Sequence, residues 1–200
     1  MAMNLKPFFS DSISSNIYLL EGDKTLLIDA GMEPFDMKGI DILILTHSHF
    51  DHSAMARDIQ KKTGCEVWMS SQEAEFFQDK RADASAAKYF DFPVDLDFTI
   101  DKRLEDGDII DLGTTKLRAI VTPGHTPGGL CLYESQSKAL FSGDTVFASG
   151  FGRYDLLGGD IEALRSSIKR LAELDVAELY PGHGPALKSG VNKYIKSILV

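Results

Sequence analysis

Residues 46–52 read Thr-His-Ser-His-Phe-Asp-His, which places three histidines and one carboxylate within six residues. The run from Asp41 to Leu45 directly before it is nearly all apolar and stops at Thr46, the pattern of a short strand buried on both faces. From Ser53 to Lys62 the apolar residues Ala54, Met55, Ala56 and Ile59 have helical spacing, with Gly64 as the stop. The cluster is therefore expected in a strand-to-helix loop. In an extended segment residues two apart project to one side, so His47 and His49 can converge on one point while Asp51 and His52 turn toward a neighbouring one. Imidazole nitrogen and carboxylate oxygen suit zinc, iron or manganese, and two such sites need more donors than one loop supplies.

The rest of the chain offers three more. His125 lies in Thr-Pro-Gly-His-Thr-Pro-Gly (122–128), where flanking prolines and glycines hold a tight loop and present the imidazole outward. Asp144 closes Ser-Gly-Asp (142–144), and His183 sits in Pro-Gly-His-Gly (181–184). Taken singly, His125 or His183 reads best as a surface or hydrogen-bonded loop residue, and Asp51 or Asp144 as a helix cap or turn residue. The combination reverses that reading, because all five histidines of the chain fall in three short motifs at strand ends.

Around these motifs the pattern alternates between strands and helices. Ser15 to Glu21 and Lys24 to Ala30 read as strands joined at Gly22-Asp23. A strand is expected at Glu66 to Met69, a helix at Ser71 to Phe90 with Ser71 as its cap, and a connection with one strand over Phe92 to Asp106. Strand character returns at Asp108–Asp111, Thr115–Val121, Gly129–Glu134 and Lys138–Ser142. A helix at Ile161–Leu174, a strand at Ala177–Tyr180 and a terminal helix at Val191–Leu199 complete the chain. Sheets interrupted by helices predict an α/β sandwich, and 200 residues without a linker or repeat fit one domain spanning 1–200.

Composition narrows the partners. A net charge of -9 opposes non-specific attraction to nucleic acid or to an anionic membrane surface. No apolar stretch has the length of a membrane span. Ser10, Asp11, Ser12, Ser14, Ser15 and Asn16 interrupt any apolar core of a leader in the first 20 residues, so a cytoplasmic location is expected. Cys65 and Cys131 form no CxxC pair and are expected buried and reduced. Phe147, Phe151, Leu156 and Leu157 can line a pocket or an interface, with core packing the commoner fate of such residues.

His-x-His-x-Asp-His followed by Pro-Gly-His-Thr-Pro-Gly, Ser-Gly-Asp and Pro-Gly-His-Gly resembles the metallo-β-lactamase superfamily, and within it the hydroxyacylglutathione hydrolase (glyoxalase II) group. The resemblance runs from Asp29 to Gly184 and implies a four-layer αββα sandwich with two metal ions at one edge of the sheets. Residue by residue it gives His47, His49 and His125 to the first ion, Asp51, His52 and His183 to the second, and Asp144 as the bridge. Asp29, in Leu-Leu-Ile-Asp-Ala-Gly, matches an aspartate near the family's site; a turn residue at a strand end is an equal reading, and it stays outside the ligand set. The segment Gly143 to Tyr154 is similar to the stretch preceding the family's glutathione contacts, which makes Arg153 and Tyr154 the expected substrate residues, an exposed salt-bridging arginine being an equal reading of Arg153. The family's contact tyrosine falls one position later, where this chain has Asp155, and the helical C-terminal domain that completes the glutathione pocket is not among these 200 residues.

Two ions of this kind, with zinc as the leading choice and iron or manganese as alternatives, can lower the pKa of a shared water from about 15.7 to near neutrality. The reaction implied is attack of metal-bound hydroxide on the carbonyl of a hydroxyacyl-thiol thioester, with Asp51 as ligand and as the group that orients the nucleophile or moves its proton. The expected partner is a small molecule, with no nucleic acid or membrane and no oligomeric state assigned. A mononuclear-iron persulfide dioxygenase and a lactonase or other ester hydrolase are the alternatives. A β-lactamase is disfavoured because no export signal is read and Asp144 stands where a major lactamase group has a ligand cysteine. A nuclease lacks its basic surface, and a purely structural metal domain its cysteines.

Overall fold

The computed structural model describes residues 3–33 and 38–198. Two mixed sheets pack face to face, with helices on both outer sides. The first sheet has the order β1 (Asn4–Phe8), β2 (Ile17–Glu21), β3 (Thr25–Ile28), β4 (Ile42–Ile44), β5 (Glu66–Ser70) and β6 (Lys102–Leu104). Its first three strands are antiparallel and its last three run parallel to β3. The second sheet follows the order β13 (Glu178–Pro181), β10 (Ala139–Gly143), β9 (Leu130–Glu134), β8 (Lys116–Val121) and β7 (Ile109–Asp111). Only the β13–β10 pair in it is parallel. A small hairpin, β11 (Val146–Phe147) with β12 (Gly150–Phe151), stands apart.

Strand periodicity sorts the apolar side chains into three layers. Leu26, Ile28, Ile42 and Ile44 face inward against Leu117, Ala119, Leu132 and Phe141 of the other sheet. Their neighbours Leu27, Leu43 and Leu45 point outward onto Ala56 and Ile59 of α2 (Ala56–Thr63) and Ala74 and Phe77 of α3 (Ser71–Ala84). On the opposite side Ile120, Cys131 and Leu140 pack under Leu164, Ile168 and Leu171 of α4 (Ile161–Leu171) and Ile195 of α5 (Val191–Ser197). The α/β sandwich read from the strand and helix pattern is the fold observed, with the four layers that the family resemblance implies. Each fully buried Leu, Ile or Phe contributes about 1.5–3 kcal/mol of transfer free energy, so the three layers rather than any one helix hold the fold.

Several local readings need correction. The helix expected at 53–62 is two pieces, α1 (Phe50–Ser53) and α2, separated at Ala54 and Met55. Asp51 and His52 therefore lie on a helical turn, not on an extended loop. Gly64, at φ 72°, closes α2 as expected. The helix expected to reach Phe90 stops at Ala84 and is broken at Lys80 (φ -140°). The cause is tertiary: the Ser85 carbonyl accepts from Phe50 N–H at 2.8 Å, and Ala86 takes a left-handed φ of 58°, so only a 3₁₀ turn follows at Ala87–Phe90. Its cap is Ser70, not Ser71. Strands β1, β11 and β12 were not expected, α4 ends three residues early, and Leu199 of the expected terminal helix lies outside the described residues. Both cysteines are buried and unpaired, as expected. Phe151 and Leu157, expected in the core, are exposed.

Candidate metal centre

The segments that follow strands β4, β8, β10 and β13 carry all seven donor residues, Asp51 and His52 on the helical turn α1 and the others on loops. Backbone hydrogen bonds stitch these loops together. Thr46 O accepts from Leu130 N at 2.9 Å, Gly143 O from Gly182 N at 2.8 Å, and Gly182 O from Asn16 N at 2.6 Å. Asn16 Nδ2 and the Tyr18 hydroxyl also reach the Pro181 carbonyl, at 3.0 and 2.6 Å, which fixes the segment that presents His183.

Three imidazoles form the first cluster. His49 Nδ1 lies 3.2 Å from His47 Nε2 and 2.9 Å from His125 Nε2, and the latter two are 3.2 Å apart. Their tautomers follow from their outer partners. His125 Nδ1–H donates to the Arg153 carbonyl at 2.6 Å, and His47 Nδ1–H to the Thr46 hydroxyl at 3.1 Å, whose own proton goes to Asp29. Both rings therefore turn an unprotonated Nε2 inward. Burial, reinforced by the neighbouring imidazoles, holds the His47 pKa well below the ordinary histidine range and lowers that of His49 to about 3. Neutral rings aim their lone pairs at one point, an arrangement that repels itself unless a cation occupies the centre.

The second cluster is Asp51, His52 and His183. His183 Nε2 lies 3.1 Å from Asp51 Oδ2 and 3.3 Å from His52 Nε2. Asp144 stands between the clusters: Oδ1 is 3.2 Å from His52 Nε2, and Oδ2 is 3.6 Å from both His125 Nε2 and His183 Nε2. The Asp144 Oδ1 atom is buried and makes no hydrogen bond of good geometry. A buried carboxylate oxygen left without a donor is costly, and a cation is what such an atom fits. Burial opposes ionisation of Asp144 and Asp51, but His52 beside the first and the His183 hydrogen bond to the second keep both carboxyls below their usual range. The side chains of His183 and Asp51 are 28% and 18% exposed whereas the other donors are buried, so solvent reaches the centre from the second cluster. The Phe147 ring meets that of His183 edge-on at 6.0 Å.

Arg153 and Tyr154 are brought to the rim. What touches the centre is the Arg153 carbonyl on His125, while its guanidinium forks onto Asp155 with two 2.8 Å bonds. Tyr154 is 45% exposed. Asp29, which sequence left between two readings, accepts from His52 Nδ1–H at 2.8 Å and from Thr46 N–H at 2.8 Å.

Two mixed sheets with this cluster at their strand ends define a class, and the chain belongs to the metallo-beta-lactamase superfamily, whose profile matches residues 11–183. Probable metallo-hydrolase MJ0888 of Methanocaldococcus jannaschii is 34% identical over 186 residues, covering 86% of this chain and 88% of that protein. The hydroxyacylglutathione hydrolase GloC of Haemophilus influenzae is 33% identical over 165 residues, covering 81% of this chain and 76% of that one. The crystal structure of TTHA1623 in a di-iron-bound form superposes with a TM-score of 0.81 at 29% identity, covering 94% of this chain and 96% of that one. Membership makes a metal-dependent hydrolase the coarse functional class.

Proposed function

We propose that the chain is a binuclear metal-dependent hydrolase of thioesters of the hydroxyacyl-thiol type. The observation that carries the reading is Asp144, whose two oxygens face both clusters while the buried Oδ1 makes no hydrogen bond of good geometry. His47, His49 and His125 would hold one ion, Asp51, His52 and His183 the other, and Asp144 both. Zinc is the leading choice, with iron or manganese as alternatives; the di-iron form of a similar fold supports a two-ion site. When bound, such a pair supplies a water of lowered pKa and charge against which a carbonyl oxygen can be polarised.

The chain's own residues supply the rest. Asp51, in the part of the centre open to solvent, has a carboxylate oxygen 3.1 Å from His183 and can orient the attacking water and take its proton. Asp29 and the Arg153 carbonyl hold His52 and His125 so that each offers Nε2 alone. A thiolate leaving group needs little protonation, which fits a first cluster in which burial keeps His47 and His49 neutral. Arg153 and Tyr154 are proposed to meet the substrate at the rim, with Arg153 exchanging Asp155 for a substrate group. The relative named as a hydroxyacylglutathione hydrolase supports the thioester. The proposed partner is a small molecule in the cytoplasm, and among the described residues no helix is long and apolar enough to cross a membrane.

Elemental analysis of the purified protein, joined to a thioester, lactone and persulfide screen, tests this. Two metals per chain with thioester cleavage that chelation abolishes and metal restores are expected. Full activity in metal-free protein, or a single iron with oxygen uptake on a persulfide, would overturn it.

A further inference from the structure

Glu73 occupies the first turn of α3 and is fully buried. Ser70-x-x-Glu73 has the form of a capping box, in which the acid folds back onto the N–H of the capping residue. Only half of that box forms. Ser70 Oγ accepts from Glu73 N–H at 3.1 Å, but the Glu73 carboxylate turns away toward two loops. Oε1 accepts from Ser48 N–H at 2.9 Å and from the Ser48 hydroxyl at 2.6 Å, and Oε2 accepts from Gly128 N–H at 2.9 Å. Ser70 Oγ adds a 2.5 Å bond to the Gly128 carbonyl.

Ser48 lies between His47 and His49, and Gly128 is three residues beyond His125. One carboxylate therefore joins the two chain segments whose imidazoles meet at 2.9–3.2 Å. The approach is close: a Cβ on Gly128 would lie 2.0 Å from Glu73 N. Capping does not require this, because Ser70 already caps α3, and a carboxylate is costly to bury. The Leu130 N–H bond on the Thr46 carbonyl joins the strand ends, and Glu73 adds the tie nearer the imidazoles, against the repulsion of their inward-facing lone pairs. The second cluster is anchored by other means, through Asp29 on His52 and through Asn16 and Tyr18 on the Pro181 carbonyl.

We infer that Glu73 is a positioning residue for the three-histidine cluster, setting the separation of segments 46–49 and 122–128 and with it the affinity of that cluster alone for a cation. The inference rests on the metal reading proposed above. Its test is zinc affinity, measured by chelator competition in two backgrounds. His183→Ala disables the second cluster and reports on the first, and His125→Ala does the reverse. In Glu73→Gln the side-chain amide must set its NH2 against the N–H of either Gly128 or Ser48, so at least one arm of the tie is lost. The expected result is an affinity about 10- to 100-fold weaker in the His183→Ala background and changed by less than about 2-fold in the His125→Ala background, the usual scale for partners of metal ligands. Equal weakening in both, or none in the first, would overturn the role of Glu73. Absence of zinc binding in the parent protein would instead remove the metal reading beneath it. Should Glu73→Gln fail to fold by circular dichroism, Glu73→Asp, which keeps the charge but shortens the reach, is read in the same way.

Discussion

His52 Nδ1–H donates to Asp29 Oδ2 across 2.8 Å, joining two fully buried side chains, one just past the end of β3 and the other on the helical turn α1 that follows β4. Asp29 sits at φ 60°, a left-handed conformation that aspartate and asparagine tolerate better than most residues. Asp29→Asn therefore keeps the backbone and removes the charge. It should weaken metal binding at the second cluster about 10- to 100-fold. Elemental analysis after dialysis checks this, and full occupancy would refute a holding role for Asp29.

Asp144→Ala should weaken both ions together, because its two oxygens face both clusters. Loss of one ion with the other retained at wild-type affinity would limit Asp144 to a single site.

Gly182→Ala tests how tightly the centre is packed. A Cβ there would lie 2.2 Å from Asp144 Oδ1 and 2.7 Å from His52 Cε1. The donors must shift, and a displacement of about 1 Å can cost on the order of 100-fold in rate. Circular dichroism should be unchanged while activity falls; wild-type turnover would show that the loop yields freely.

The centre was legible because its chemistry is concentrated: five histidines in turn-rich motifs leave none to act as background. What supports it was less so. Asp29 also reads as a strand-end turn residue, and Glu73 obeys a local capping pattern that hides its long-range bonds. The Arg153 contact with His125 is made by a main-chain carbonyl, which no residue type signals. Strand β1 carries Asn4, Lys6 and Pro7, and β11 and β12 have two residues each, too few to show an alternation. Ala84 to Ala87 favours a helix locally, but the Phe50 N–H bond to the Ser85 carbonyl ends it.

Metal-free protein should lose stability on mild acidification. Burial first, and then neighbouring imidazoles, lower His47 well below 6.5 and His49 to about 3. Between pH 6.5 and 4.5 the unfolded chain takes up protons that the folded chain refuses at these two sites. The slope reaches up to about 1.4 kcal/mol per pH unit for each. His52 behaves oppositely: burial disfavours its charge, but Asp29 and Asp144 raise its pKa well above 6.5. Its stabilisation is complete below pH 6.5 and lost only as pH rises through that higher value, so it adds no slope in this window. Denaturant midpoints of the chelated protein that stay flat from pH 6.5 to 4.5 would contradict buried neutral rings.

Both thiols should resist modification in the folded state. Burial raises the Cys131 pKa to about 11 and also raises that of Cys65. Thiolate is the reactive form, so an aromatic disulfide reagent at pH 8 should label neither cysteine natively and both in denaturant. Rapid native labelling would show that one of them is accessible.

Each cluster draws donors from both halves of the sandwich: His47 and His49 need His125, and Asp51 and His52 need His183. A cation in either place acts as a rivet that only a completed sandwich can accept. Occupancy would thus report whole-chain folding, and a chain interrupted between β6 and β8 should surrender both ions at once rather than keep a working half.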